Sequence, residues 1–254
     1  MYEDCPVVRL QDEASDLEHF LKAMYNFRYF RPDAKTTFPV VSGILRLSTK
    51  YMAHELRKQA IDVLATAFPA DDRKWSSRNF ARLVPYFPEQ TSAMISLCLQ
   101  TGARVLLPAV YYAASKLPLA EVLADLYTLP PDIAQDVCTQ FVLGREKLRQ
   151  VEVKSILSFF EPDFDRPICT DAHDTTKLKT YASTALLRTV DPEPFQDWCA
   201  SHGDLVGSFI GLCEGCTALI EDHIHLAKRH IFYELPLLFG LPEWKTLKAE
   251  AKGD

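Results

Sequence analysis

Cys199-x-x-His202 followed by Cys213-x-x-Cys216 is the set of residues in this sequence whose types and spacing come nearest to a known chemistry. Thiolates and imidazoles at such gaps are what tetrahedral zinc accepts. The elements that must position them argue against convergence. If Gly203 turns the chain between two antiparallel helices, Cys199 lies opposite about residue 206, while Cys213 sits roughly 15 Å from the start of the second helix at 1.5 Å rise per residue. Cys213, Cys216, His223 and His230 share one helical stripe, but it spreads over ~25 Å of axis, so at most neighbouring pairs could ligate one ion. The sequence therefore predicts no metal and no cofactor, with the cysteines as small residues facing a partner helix. A zinc-stabilised helical regulatory protein using Cys199, His202, Cys213 and Cys216 is the alternative.

Other chemistry is poorly anchored. His54-Glu55 opens like a zincin motif, yet Lys58 stands where the second histidine must be. No nucleophile-elbow, phosphate-loop or dinucleotide-binding motif occurs. No cysteine sits in a recognisable activating context, and Asp71-Asp72 reads as charge at a helix start. No catalytic residue is expected, which leaves an unrecognised hydrolase as a remote alternative. A different kind of cluster is Tyr25, Phe27, Arg28, Tyr29, Phe30 and Arg31. These side chains either plug a loop onto the body or form a partner-binding patch of the aromatic-plus-arginine kind found at interface hot spots.

Composition narrows the function classes. A net charge of −6, with Lys228-Arg229-His230 as the longest basic cluster, opposes a nucleic-acid surface. No apolar run approaches the ~18 residues that would span a bilayer, and the first residues lack the pattern of a signal peptide. Seven scattered cysteines make no disulfide framework. An intracellular protein of cytoplasm or nucleus, without membrane or nucleic-acid partners, is the expectation. Only 9 glycines against 16 prolines favours helices joined by proline-bearing loops.

The periodicity agrees. Pro6 to Leu10 predicts a short strand, and Ser15-x-x-Glu18 predicts a capping box opening a helix whose stripe, Leu17, Phe20, Leu21 and Met24, should be buried. A second helix is predicted from Thr36-Thr37, with Pro39 in its first turn and a stripe through Val40, Val41, Ile44, Leu45 and Ser48 to Tyr51. A third carries Leu56, Ala60, Val63, Leu64 and Ala67, with Pro69 as its stop. Further helices are predicted near Glu89 to Thr101, Leu107 to Leu117, Asp132 to Phe160, Thr175 to Thr189, Pro194 to Ala200 and Asp204 to Tyr233. Residues 161–174 read as a linker or long loop. Leu235 to Trp244 reads as a short apolar clasp on the helical body.

The order strand, helix, loop, two helices, together with the stretch CPVVRL…DLEHFLKAMY…RYFRP…FPVVSGILRLSTKYMAHELRKQAIDVL, resembles the second half of a BTB/POZ domain, most closely that of fungal BTB/POZ proteins. The LCxxC-like element and the closing Leu235-Pro236-x-x-Phe239-Gly240-Leu241-Pro242-x-Trp244 are similar to the same group. The resemblance implies a mainly α chain. Residues 1–70 would be the C-terminal half of a BTB/POZ domain, one short strand plus three helices, and 71–254 a helical C-terminal region. It implies a non-catalytic protein-protein interaction module, an adaptor or scaffold with a protein partner. Met1-x-Glu3 fits the hydrophobic-x-Glu element through which some members bind a cullin-type scaffold. The family elements that precede the strand and form most of its homodimer face have no counterpart here. BTB-type homodimerisation is therefore not carried over.

Overall fold

A computed structural model of the chain describes residues 9–76, 83–85, 90–157 and 214–252. Among them it is mainly α-helical and contains no strand. The expected strand is met only at Arg9 and Leu10, which are exposed and irregular; Pro6 to Val8 lie outside the described residues, as do 161–174 and the helices expected near 175–189 and 194–200. An isolated strand has nowhere to send its backbone hydrogen bonds, and no described segment offers it a ladder. Two compact units divide the described chain, 9–67 with 83–85, and 68–76 with 90–157 and 214–252.

The first unit holds α1 (Ala14–Tyr25), α2 (Phe38–Lys50) and α3 (His54–Leu64). Thr37 stands at the N-cap of α2 and Pro39 in its first turn, where the missing N–H costs no hydrogen bond. Val41, Ile44, Leu45 and Ser48 are buried as their spacing predicts, and Ser42, Gly43 and Leu47 widen that face. Gly43 is required. A Cβ there would fall 2.7 Å from Asp16 Oδ1 and 3.0 Å from Asp16 Cα, so α1 and α2 approach closely only because the side chain is absent. Asp16 itself is buried and accepts both arms of the Arg46 fork, at 2.7 and 3.0 Å, which satisfies the carboxylate out of water. Beyond Lys50 the chain reverses through Met52, whose φ of 56° lies in the left-handed region, and α3 buries Ala60, Ile61, Val63 and Leu64. Segment 83–85 is tied to this unit by Thr36 N–H to Leu83 O and Leu83 N–H to Thr66 Oγ1, both 2.9 Å.

The expected capping box does not form. Helix α1 starts at Ala14 with Glu13 as its N-cap, Ser15 lies already inside the helix, and Glu18 is salt-bridged to Lys22 one turn on. A Glu–Lys pair at i,i+4 competes with capping for the same carboxylate, and here it wins.

The second unit contains α4 (Asp72–Ser76), α5 (Thr91–Thr101), a 3₁₀ turn (Arg104–Leu106), α6 (Leu107–Ser115), α7 (Leu119–Leu126), α8 (Pro131–Leu157), α9 (Glu214–Leu238) and α10 (Trp244–Lys252). Gly102 ends α5 with φ 64°, a conformation that suits glycine. Helix α6 is buried along its whole length, and around it two aromatic groups form the core. Tyr111, Phe141 and Phe239 pack with ring centroids 5.1–6.4 Å apart. Trp75, Tyr112, Phe232 and Trp244 form the other, with Trp75 4.7 Å from Tyr112 and 5.3 Å from Phe232, and Trp244 stacked on Phe232 at 4.7 Å. Such offset rings contribute about 0.5–1.5 kcal/mol per pair beyond the area they bury.

The last long helix corrects the expected stop near Tyr233. It continues through Pro236 to Leu238. Proline cannot donate to the carbonyl four residues back, so the Phe232 carbonyl loses its helical partner. The indole N–H of Trp244 donates to that oxygen at 2.8 Å in a buried bond. Gly240, at φ 65°, then closes the helix: its N–H reaches Leu237 O at 3.1 Å and Leu241 N–H reaches Pro236 O at 2.7 Å, a Schellman pattern. Leu235, Phe239, Leu241 and Trp244 are buried, so the closing segment is apolar and packed as expected, while α10 beyond it was not anticipated.

Candidate interaction surface

Half of the apolar stripe of α1 is uncovered. Asp16 and Phe20 face inward, but Leu21 is 41% exposed, Met24 53% and Tyr25 84%. On a helical projection at 100° per residue, Met24, Leu21 and Tyr25 occupy an arc beside the buried face, with half-buried Leu17 inside it. The expectation that the whole stripe is buried is thus corrected: the first unit covers one side of it and leaves the other to solvent.

Asn26 shapes the turn that extends this arc. Its side-chain oxygen accepts the Arg28 N–H at 3.0 Å and its carbonyl accepts the Tyr29 N–H at 2.9 Å, a side-chain-supported turn of the kind asparagine favours. The turn projects Phe27 outward, 80% exposed, with the Arg28 guanidinium 5.5 Å from its ring centroid. It also brings Tyr29 back onto α1, where the hydroxyl is hydrogen-bonded to His19 Nδ1 at 2.6 Å and the ring lies 5.6 Å from Lys22 Nζ. Phe30 inserts into the first unit's core, and its carbonyl accepts Gln59 Nε2 at 2.9 Å. Arg31 closes a fork on Asp33, at 3.0 and 2.6 Å, out in solvent.

The two readings of the aromatic-arginine cluster therefore divide between its residues. Tyr29 and Phe30 are the plug, and Arg31 is held by Asp33. Tyr25, Phe27 and Arg28 form an outward face together with Leu21 and Met24, which sequence reasoning assigned to the core. Leu21 stands 100° round the helix from Phe20, but Met24 stands only 40° away, so periodicity marks the face as apolar without saying what covers it.

Of the residues weighed for zinc, Cys199, His202 and Cys213 lie outside the described residues, and Cys216 falls in α9. Among the described residues no three His, Cys, Asp or Glu side chains are grouped so as to hold a metal ion. Cys98 and Cys138 are free and buried, and burial pushes both thiols above their ordinary pKa. Met1 and Glu3, which fit the cullin-binding element, also lie outside the described residues. No described helix is long and apolar enough to cross a membrane. Comparison with protein-family models, with curated proteins and with solved structures finds no match to this chain.

Proposed function

We propose that this chain is a non-catalytic protein-binding module of the BTB/POZ type, an adaptor or scaffold working in cytoplasm or nucleus. It engages a protein partner through Leu21, Met24, Tyr25, Phe27 and Arg28. The observation that carries this reading is the exposure of two aromatic rings, Tyr25 at the end of α1 and Phe27 in the turn after it, beside Leu21 and Met24 on a helix anchored through Asp16 and Phe20. Large apolar side chains left in water forgo their burial free energy, about 1.5–3 kcal/mol for a residue such as leucine or phenylalanine, until a partner covers them. Arg28 adds a cation whose guanidinium lies near the Phe27 ring, a combination enriched at interface hot spots. The ion pair of buried Asp16 with half-buried Arg46, the Gly43 contact and Phe30 hold this face on a rigid support, and rigidity lowers the ordering cost of binding.

Site-specific photocross-linking in cells tests the proposal. A photoreactive phenylalanine analogue at position 27 is expected to trap a discrete protein adduct that the same analogue at exposed position 58 on α3 does not. Equal, diffuse labelling from both positions would oppose an interface at Phe27. A cullin-type scaffold is one partner that the sequence resemblance implies, and mass spectrometry of the adduct decides whether it is the one trapped.

A further inference from the structure

Helix α9 carries a line of large side chains that its own core does not use. Leu226, His230, Tyr233 and Leu237 follow one another at intervals of four, three and four residues, and each side chain is more than half exposed. Ala227, Ile231, Phe232, Leu235 and Pro236, on the opposite side, are buried in the second unit. Alternating steps of three and four are the spacing of a seam through which two helices interlock side chains, the a and d positions of a heptad. Tyr233 also donates its hydroxyl to Asp72 at 2.7 Å, but a merely solvated helix face has no need of two leucines at those steps.

The charges beside the seam identify the occupant. Arg229 borders it on one side and Glu234 on the other, five residues on. These are a g position and the following e position, which face each other across a parallel pair of helices. Opposite signs at the two make the face self-complementary, so that a twofold axis sets Arg229 of each copy against Glu234 of the other. Both side chains keep exposed surface: Arg229 holds Asp72 at 3.1 Å while 52% exposed, and Glu234 lies 3.6 Å from His230 while 41% exposed. We infer that the chain associates with a second copy of itself through a parallel pairing of α9. This face lies in the second unit and is independent of the surface assigned above to a protein partner.

The seam is short, ~16 Å from Leu226 to Leu237 at 1.5 Å per residue. Because α9 is already folded against its own unit, pairing bears no cost of helix formation. An interface of this size gives a weak dimer, with dissociation on the order of tens of micromolar.

Sedimentation velocity of the full chain between about 5 and 500 μM tests it. The weight-average sedimentation coefficient is expected to rise with concentration, and Leu226→Glu with Leu237→Glu, both at exposed positions, to abolish the rise without altering the far-UV circular dichroism. Arg229→Glu or Glu234→Arg alone is expected to weaken association at least ~10-fold, and the double exchange to restore it. A monomer at every concentration would overturn the inference. So would self-association indifferent to the two leucine substitutions, or a double exchange that fails to recover what the single ones lose.

Discussion

Replacing Trp244 by phenylalanine isolates the device that lets α9 run through a proline. The substitution keeps a ring that can stack on Phe232 but removes the indole N–H that donates to the Phe232 carbonyl at 2.8 Å. That carbonyl is buried and has lost its helical donor to Pro236. Leaving a buried acceptor unpaired costs about 1–3 kcal/mol, and the smaller ring forfeits roughly another 1 kcal/mol of packing. The expected destabilisation is therefore ~2–4 kcal/mol, a fall in Tm of roughly 4–16 °C at 2–4 °C per kcal/mol. Pro236→Ala supplies the decisive second background, because an alanine N–H at that position can return to the Phe232 oxygen. In that background Trp244→Phe should cost less by about 1–2 kcal/mol, a coupling well above the error of a double-mutant cycle. Urea unfolding followed by far-UV circular dichroism is the assay, since the substitution removes a fluorophore. Equal cost of Trp244→Phe in the two backgrounds would refute the reasoning.

The other expectations rest on single contacts. Gly144→Ala places a Cβ 2.1 Å from Cδ1 of the fully buried Phe239 ring, so overpacking of about 1–3 kcal/mol should exceed the ~1 kcal/mol of helix propensity gained. Thermal unfolding should show a lower Tm, and Phe239→Leu should relieve it. The Tyr111 hydroxyl is buried without a hydrogen-bond partner among the described residues, so Tyr111→Phe should leave stability unchanged or raise it by up to ~1 kcal/mol in denaturant titrations. Cys98 and Cys138 should resist alkylation in the folded chain and react once urea unfolds it, as read by mass spectrometry. The Asp72 carboxyl is held below its ordinary pKa of 3.8, chiefly by the Tyr233 hydroxyl and then by Arg229, against a smaller opposing effect of burial. A lowered folded pKa means that the unfolded chain binds the proton first, so this contribution is present above pH ~4 and is lost as pH falls through the folded value. Asp72→Asn should flatten that part of the stability profile.

Much of the fold could be read from local cues because those cues concern the backbone. Thr37 with Pro39 marks the start of α2, Gly102 the end of α5 and Pro131 the start of α8, each through a rule about caps or missing N–H groups. Helix α7, eight residues between Pro118 and Pro130, was not among the predicted helices, although Leu119, Val122, Leu123 and Leu126 follow helical spacing. What could not be read depends on distant partners. Pro236 is a helix breaker by every local rule, and only Trp244, eight residues on, changes the outcome. Leu21 and Met24 belong to a stripe that looks like core, yet no described segment covers them. The aromatic-arginine cluster could be seen as a group in the sequence, whereas its division into plug and exposed face follows from Asn26 and Gln59, whose bonds no spacing pattern shows.

The most direct measurement of the central claim is the affinity of purified chain for the protein trapped at position 27, determined by calorimetry for wild type and for Tyr25→Ser with Phe27→Ser. The account predicts at least ~30-fold weaker binding for the variant, the loss of about 2 kcal/mol expected of a hot spot, with unchanged circular dichroism. Binding of wild-type strength by a variant that has lost both exposed rings would contradict it.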